Sequence, residues 1–225
     1  MTSTQTRANT TRSAAEASHP PGGATPDFTR ERIVRAAGKL FSEQGYAATS
    51  VKQIATAVQV SAPALYWHFE SKGDLLHAVI HSTLTRFLAA ATEAISGAGD
   101  DPRDQLAALV RMYVSTQVNE VDDVTAYSSL YAPGHLFKNL SPAAHDELKA
   151  LEVEVFNTIR EPIRAGIASG VFDAPSATVA THAIVGIIEN LPGWAGQLST
   201  PDDERLIETH WRIVERIVGA RPAGA

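Results

Sequence analysis

The sequence predicts an all-α fold, and three observations support this prediction. From Thr29 onward, apolar residues recur at three- and four-residue spacing over most of the chain, as on one face of a helix. No segment shows the sustained alternation of a half-buried strand, and Ser, Gly and Pro stand where helices would begin or end. With 225 residues, 44% of them hydrophobic, the chain can bury the core of one large domain or two small ones.

Residues 1–27 are rich in Thr, Ser, Ala, Pro and Gly and hold almost no large apolar side chain. Such a segment cannot bury enough surface to offset its ordering entropy, so we predict a disordered tail. Its arginines, Arg7 and Arg12, could lie on nucleic-acid phosphates or in a minor groove. A tail that simply stays in solvent is the alternative.

The first helix is predicted to begin near Thr29 and to end before Gly45, since glycine commonly follows the last turn of a helix. Its inner face is a single apolar stripe, formed by Ile33, Ala36, Ala37, Leu40 and Phe41.

Three further helices are predicted to begin at hydroxyl residues, whose side chains can accept from the free N–H groups of a first turn. Thr49 or Ser50 can cap a short second helix. Ser61 can cap a third, with Pro63 in its first turn, where the missing N–H costs nothing. Ser71 can cap a long fourth helix that extends to about residue 95.

Helices are also predicted in the remainder of the chain, after the break at residues 97–99. Their approximate ranges are 102–120, 122–131, 142–169, 175–191 and 202–219. Pro162 lies inside the longest of them, and we expect a kink or a break there because proline removes a helical hydrogen bond.

The composition excludes several classes of protein. The chain has no cysteine, which rules out disulfides, thiolate catalysis and cysteine-ligated zinc. Its longest apolar runs, such as residues 183–188, are far shorter than the ~18 residues of a membrane span. No signal-peptide pattern follows Met1, so a cytoplasmic protein without membrane contact is expected.

The formal net charge of −6 argues at first against nucleic acid as a partner. The charge is unevenly spread, however. Residues 28–81 contain 6 basic and 4 acidic side chains, whereas residues 82–225 contain 11 basic and 19 acidic ones. This asymmetry favours a nucleic-acid-facing N-terminal unit joined to a larger acidic domain.

Residues 50–69 read as a helix, a tight turn and a second helix, which is the layout of a helix-turn-helix. Tyr66, Trp67 and His68 follow one another on the second helix, so they fan around its circumference and cannot all lie in a core. At least one should present a polar tip to a phosphate. Core positions for Trp67 and His68 are the alternative.

The segment Thr29–Ile80 resembles the DNA-binding domain of the TetR family of bacterial repressors. The resemblance lies in the first-helix pattern that ends in Leu40-Phe41, the Gly45-Tyr46 turn, Thr49–Ala55, Val60–Phe69 and Ser71–Leu76. It implies a DNA-binding domain at 28–81, followed by a helical effector-binding and dimerisation domain at 82–225. Operator DNA, a second copy of the chain and a small-molecule effector are the implied partners, and no cofactor is expected.

The resemblance also implies roles for individual residues. Thr49 or Ser50 would hold a phosphate, and Lys52 would reach the backbone or a base edge. Tyr66, His68 and Lys72 would bind phosphates. Ala62, Pro63 and Ala64 would face the floor of the groove, and they are small and apolar where relatives often have Gln or Thr. Such side chains can contact a thymine methyl group but cannot pair with a base, so specificity would depend on Lys52, His68 and DNA shape. Ser61 and Trp67 complete the predicted DNA-binding residues.

In the C-terminal domain the family resemblance implies a dimer interface on the last two helices. The predicted interface residues are Val179, Ala183, Ile187, Leu206, His210, Ile213 and Ile217. Apolar walls with a few polar tips suit an amphipathic effector. The predicted pocket residues are Phe87, Met112, Tyr113, Tyr127, Leu130, Tyr131, His135, Phe137, Phe156 and Trp194.

A loose similarity to regulators that sense acyl-CoA thioesters suggests one effector class. Its phosphates could meet basic residues drawn from Arg103, Arg111, Lys138, Arg160 and Arg164. A DNA-binding dimer without an effector is the alternative. A metal enzyme is more remote: His77 and His81 share a helix face and could hold zinc, but no third ligand follows nearby and no catalytic motif appears.

Overall fold

A computed structural model describes residues 26–119, 137–191 and 203–220 of the chain. These residues form eight α-helices and one short 3-10 turn at Phe137–Asn139, with no strand among them, so the all-α prediction is confirmed. The helices are α1 (Pro26–Gln44), α2 (Val51–Ala57), α3 (Ala62–His68), α4 (Lys72–Gly97), α5 (Pro102–Asn119), α6 (Pro142–Ser169), α7 (Ala177–Glu189) and α8 (Asp203–Val218).

Serine side chains begin α2, α3 and α4, as the sequence predicts. Ser50, Ser61 and Ser71 each accept a hydrogen bond from the backbone N–H three residues further on. At Ser50 the side chain of Gln53 completes a capping box, with its Oε1 accepting from the Ser50 N–H at 2.7 Å. Residues 1–25 and the predicted helix at 122–131 lie outside the described residues.

The helices enclose two apolar cores. The N-terminal core, formed by α1–α3 and the first half of α4, includes Phe41, Ile54 and Leu65. The C-terminal core, formed by α5–α8, includes Leu106, Ile163 and Ile188. Burial of these side chains is the main force that stabilises each unit.

Two long helices pass from one core to the other. From α6, Leu148 is fully buried in the N-terminal core, whereas Ile159 and Ile163 are buried in the C-terminal core. From α4, Leu76 lies in the N-terminal core, whereas Phe87 packs against the C-terminal one. The two units are therefore joined by shared helices rather than by a linker.

Of the kink or break expected at Pro162, the break does not occur, since α6 continues to Ser169. Pro162 is itself buried, and its helix neighbours Ile159 and Ile163 are buried in the C-terminal core. This packing outweighs the loss of one helical hydrogen bond. The helix ends as predicted at Gly170, whose φ of 77° is left-handed.

Close packing at Gly166 fixes the turn that follows α6. A side-chain carbon at this position would lie 2.1 Å from the ring of Phe172, so only glycine admits that ring to the core. Within the described residues, no helix is both long enough and apolar enough to cross a membrane.

Candidate nucleic-acid interface

The α2–α3 pair is held as a rigid unit by buried contacts and a tight turn. Ile54 and Ala55 on α2 and Leu65 on α3 are all buried in the N-terminal core. In the turn, the Val60 N–H donates to the Ala55 carbonyl at 2.9 Å. Gln59 adopts a φ of 58°, an unusual left-handed conformation for a residue with a side chain.

The outward face of α3 is unusually aromatic. Trp67 is 77% exposed and Tyr66 is 50% exposed, while Leu65 on the opposite face is fully buried. Pro63 and Ala64 are exposed beside them. A core position for Trp67 is thus excluded, and large aromatic surface is left for a partner.

His68 lies next to this aromatic face, as the last residue of α3. It is half-buried, and its ring meets the Trp67 ring edge-on with the centroids 5.0 Å apart. Ala62, at the other end of the helix, is also half-buried and packs against the N-terminal core. The predicted α3 residues therefore share one helix but differ in how much surface they offer.

Thr49 is a structural residue, and its predicted role in holding a phosphate is wrong. Its side chain is 1% exposed, and its hydroxyl is within 2.9 Å of the Gly45 carbonyl and 3.1 Å of the Leu40 carbonyl, which accept from it. Those contacts hold the end of α1 against α2. Of the two residues proposed for a phosphate, only Ser50 is exposed.

Lys52 is exposed on α2, one position inside the helix. Gln53 is exposed beside it, and its side-chain amide donates to Gln44 at 3.2 Å. Thus Lys52 lies at the N-terminal end of α2, next to Ser50, where the helix dipole favours an anion.

Lys72 is engaged within the fold. Its ammonium donates to the Tyr46 carbonyl and lies 4.1 Å from the centroid of the Tyr46 ring. Partial burial lowers the pKa of Lys72 below its ordinary value. The contact fixes the start of α4 to the turn after α1, so any phosphate must be bound by the N–H groups that remain.

Two arginines of α1 were not singled out from the sequence. Arg30 is exposed and lies 5.1 Å from the centroid of the Phe69 ring, which places a cation near the end of α3. Arg32 donates to the Val58 carbonyl at 3.1 Å and braces the turn between α2 and α3. The spacing within α1 gives no signal for either contact, because the partners lie 26 or more residues away.

The predicted dimer residues divide into surface and core positions. Val179 is 65% exposed, Ile213 is 37% exposed and Ala183 is exposed, whereas Ile187 and Ile217 are half-buried. Leu206 and His210 are instead buried within the chain, and the His210 ring contacts the Leu206 carbonyl at 2.7 Å. Their assignment to the interface is wrong because they face their own C-terminal core.

Comparison with known proteins decides the family. Residues 33–79 match the model of bacterial regulatory proteins of the tetR family, and residues 99–218 match that of the tetracyclin repressor-like C-terminal domain. The second match alone covers more than half of the chain. The chain belongs to the TetR family.

Individual relatives agree with this assignment. Over 146 residues the chain is 30% identical to the HTH-type transcriptional repressor NicS of Pseudomonas putida, a match to 65% of this chain and 66% of NicS. The match thus spans just under two thirds of that relative. A tetR-family regulatory protein from Rhodococcus RHA1 has the same fold, with a TM-score of 0.76 and 24% identity over 86% of this chain and 98% of that one.

A third protein with the TetR fold was solved with two ligands. AibR in complex with isovaleryl coenzyme A and operator DNA gives a TM-score of 0.73 at 18% identity, covering 86% of this chain and all of that one. TetR-family regulators bind operator DNA and function as dimers. The chain therefore belongs to a family of DNA-binding transcriptional regulators.

Part of the predicted TetR effector pocket lies in the C-terminal core. The rings of Phe87 and Tyr113 meet edge-on, with centroids 4.8 Å apart. They line an apolar cavity of about 10 Å³ together with Leu106, Leu109, Val110, Ile159, Ile184 and Ile188. This volume has room for about one water molecule.

The other predicted pocket residues are not brought together there. Met112 is half-buried and does not line this cavity. The Phe156 ring lies 4.6 Å from that of His182 instead. The side chains of Tyr127, Leu130, Tyr131, His135, Phe137 and Trp194 lie outside the described residues.

An acidic group beside the cavity was missed at the sequence level. The Tyr113 hydroxyl donates to Glu189 at 3.1 Å. Burial raises the pKa of Glu189. Burial and the charge of Glu189 together raise the pKa of Glu152 to about 7. Tyr113, Glu152 and Glu189 lie on three different helices, so no sequence motif could reveal them.

The predicted basic residues for a CoA ligand are mostly paired. Arg103 pairs with Glu215, Arg111 contacts both oxygens of Glu204 at 2.9 Å, and Arg164 pairs with Glu161. Arg160 and Lys138 complete the set, with Arg160 near the Phe156 ring and Lys138 exposed.

His77 and His81 serve a contact between helices. Their Nε2 atoms lie 3.0 Å and 3.4 Å from the two carboxylate oxygens of Glu147 on α6. No group of three His, Cys, Asp or Glu residues in the described ranges is arranged to hold a metal ion.

Proposed function

We propose that this TetR-family chain is a homodimeric repressor that binds an operator through α3 and is released by an amphipathic small molecule. The observation that carries the proposal is the exposed aromatic face of α3 above a fully buried opposite face. Such a helix offers surface that the fold does not use, in a geometry that suits the major groove.

The DNA-binding domain is proposed at residues 28–81. Ser50 and Lys52 at the start of α2 would contact the backbone, and Tyr66 and His68 on α3 would bind phosphates. The remaining predicted contacts are Ser61, Ala62, Pro63, Ala64, Trp67 and Lys72. Three of these are small apolar residues at the start of α3, so they would let the helix approach thymine methyl groups closely.

The role of these residues in sequence recognition is tested in two steps. A bound site is first selected from random duplexes, and that site and scrambled DNA are then each titrated with the protein. Lys52→Ala should weaken binding and reduce the preference for the selected site. Tyr66→Phe should weaken both duplexes alike, because it removes a phosphate contact. Lys39→Ala is the matched control, since Lys39 is also exposed but lies on α1 and pairs with Glu43. Equal effects of the two lysine variants would contradict the assignment.

The dimer is proposed to form through the exposed face of α7 and part of α8. Val179, Ala183 and Gly186 are exposed at helical spacing on α7, with little side-chain bulk to keep a partner helix away. Val179→Glu should convert a dimer into a monomer in sedimentation velocity. Thr178→Glu, an exposed neighbour on α7, should leave the dimer intact.

The effector is proposed to bind in the C-terminal core, where the cavity beside Phe87 and Tyr113 marks its place. AibR is known with both an acyl-CoA and operator DNA, which supports a ligand-responsive regulator and keeps acyl-CoA as one candidate class. Because the cavity is small, a ligand must separate the helices that line it, among them α4 and α6. Those helices extend into the N-terminal core, so the movement would reach the DNA-binding domain.

Measurement of operator release in the presence of acyl-CoAs, aromatic acids and amines tests the effector part. Release by one class supports a sensor. If none of the compounds stabilises the protein or releases DNA, the chain is a DNA-binding dimer without a small-molecule effector.

A further inference from the structure

Two side-chain oxygens in or beside the C-terminal core have no hydrogen-bond donor, and a neighbouring carboxylate, Glu189, has one. The side-chain Oε1 of Glu152 is buried and has no hydrogen-bond partner, and the same is true of Oε1 of Gln117. Gln117 is only 4% exposed and lies one helical turn beyond Tyr113, on the same face of α5. Glu189 accepts one hydrogen bond, from Tyr113.

Unpaired buried acceptors cost free energy, and a carboxylate costs more than an amide. In the described residues, the charge that acts on Glu152 is that of Glu189, and the group that stabilises Glu189 is the Tyr113 hydroxyl. The groups that shift the pKa values of these two carboxyl groups include no arginine, lysine or histidine. The group therefore needs donors and a positive charge that those residues do not supply.

The position of the group connects it to the cavity. Tyr113 belongs to both: its ring lines the apolar wall with Phe87, and its hydroxyl contacts Glu189. Glu152 lies on α6 and Glu189 on α7, the two helices that supply Ile159, Ile184 and Ile188 to the same wall. A ligand that packs its body against these rings would place its polar end at the carboxylates.

We propose that the effector of this chain is an amphipathic amine whose ammonium group is bound by Glu152 and Glu189, with Tyr113 and Gln117 beside it. An ammonium has three donors and one positive charge, and so matches the unpaired acceptors. The proposal rests on the proposed effector function and names its ligand class. It disfavours a CoA thioester, because CoA phosphates near two carboxylates would be repelled.

A head-group series on one alkyl chain tests the ligand class. The full-length chain is titrated calorimetrically at about pH 8 with hexylammonium, hexan-1-ol, hexanoate and hexanoyl-CoA, since an alkylammonium, like lysine, stays protonated there. Hexylammonium should bind at least about tenfold more tightly than the other three. Equal or tighter binding of hexanoate or hexanoyl-CoA would overturn the proposal, as would an absence of hexylammonium binding.

Matched variants test the site. Glu152→Gln and Glu189→Gln should each weaken hexylammonium binding about tenfold or more while leaving hexan-1-ol unchanged. Glu154→Gln is the control, because Glu154 lies on α6 but is exposed. If Glu154→Gln weakens hexylammonium binding as much as Glu152→Gln does, the effect comes from the overall negative charge of the chain, and the proposed site is wrong.

The number of protons released on binding tests the role of Glu152 directly, because a merely structural role would not change it. Near pH 7 Glu152 is partly protonated in the free chain, so binding a cation should expel up to about half a proton. Calorimetry in two buffers of different ionisation enthalpy measures this number. The release should vanish in Glu152→Gln, and its persistence there would exclude Glu152 as the titrating group.

Failure of this proposal is distinguishable from failure of the proposed function. Operator binding by the free chain is measured separately, and its absence would overturn the repressor assignment whatever hexylammonium does. Operator binding without ammonium binding would overturn the amine proposal alone.

Discussion

The two cores differ in whether their buried polar side chains have hydrogen-bond partners. In the N-terminal core, the buried hydroxyl of Thr49 has two carbonyl acceptors in reach. In the C-terminal core, Thr181 and His210 are bonded to backbone carbonyls, but Gln117 and Glu152 each keep an unpaired oxygen. In the described part of the chain, the buried side-chain oxygens without a hydrogen-bond partner thus both lie in or beside the C-terminal core.

This difference follows from the tasks proposed for the two units. A helix that reads DNA must keep one position, and the hydrogen bonds of Arg32 and Thr49 help to hold α1–α3 in place. A domain that binds a ligand must instead retain groups whose partners arrive with the ligand. Unsatisfied polar groups lower stability but provide selectivity, because a ligand without the matching donor leaves them unpaired.

The largest effect is expected where the two units join. Leu148→Ala removes a fully buried side chain that α6 contributes to the N-terminal core, so it should reduce the free energy of unfolding by about 2–5 kcal/mol. Urea denaturation measures the change. Val153→Ala, on the same helix but half exposed, should cost far less. A small loss for Leu148→Ala would mean that the units are joined by α4 alone.

A pair of isosteric changes tests the contrast directly. Thr49→Val removes the buried hydroxyl that donates to the Leu40 and Gly45 carbonyls and should cost about 1–3 kcal/mol. Gln117→Leu removes an amide whose oxygen is already unpaired, so its cost should be near zero or negative. Thermal unfolding of both variants measures the difference. If Gln117→Leu costs as much as Thr49→Val, the C-terminal core is as well satisfied as the N-terminal one.

A smaller, pH-dependent effect is expected at Glu152. Its pKa is raised in the folded chain to about 7, so its favourable contribution is present in acid and is lost as the pH rises through 7. Glu152→Gln should therefore match the parent at about pH 5 and exceed its Tm by about 2–4 °C at about pH 8, for a solvent-screened penalty of about 1 kcal/mol. Equal Tm differences at both pH values would contradict this origin.

The smallest effect is expected at the helix-turn-helix turn. Gln59 occupies a left-handed conformation that glycine adopts without strain, so Gln59→Gly should stabilise the chain by about 0.5–1 kcal/mol. Gln59→Ala keeps the strain and serves as the control. Chemical denaturation measures both, and a gain from alanine equal to that from glycine would rule out strain as the cause.

Local signals in the sequence predicted the helices well. Ser50, Ser61 and Ser71 cap helices because a cap depends on residues within one turn of each other. Gly170 ends α6 for an equally local reason. Pro162 does not break α6, because burial within the fold offsets its local cost, and local sequence does not reveal burial.

The candidate sites were predicted less completely, because burial depends on the whole fold. Thr49 and Ser50 are equally plausible caps in sequence, yet only one is exposed. Leu206 and His210 lie on an apolar stripe that could face a partner or the chain's own core, and the fold selects the core. The acidic group joins residues 76 positions apart at Tyr113 and Glu189, a distance that no motif spans.

The continuity of α6 has a consequence for how such chains can change in length. Leu148 and Ile159 are buried in different cores but are fixed on one helix, so their angular relation is set by the number of residues between them. Insertion or deletion of one residue there would turn one core by about 100° relative to the other. Chains that preserve both cores should therefore vary in length at the ends of α6, or by about seven residues at once, which restores the helical phase.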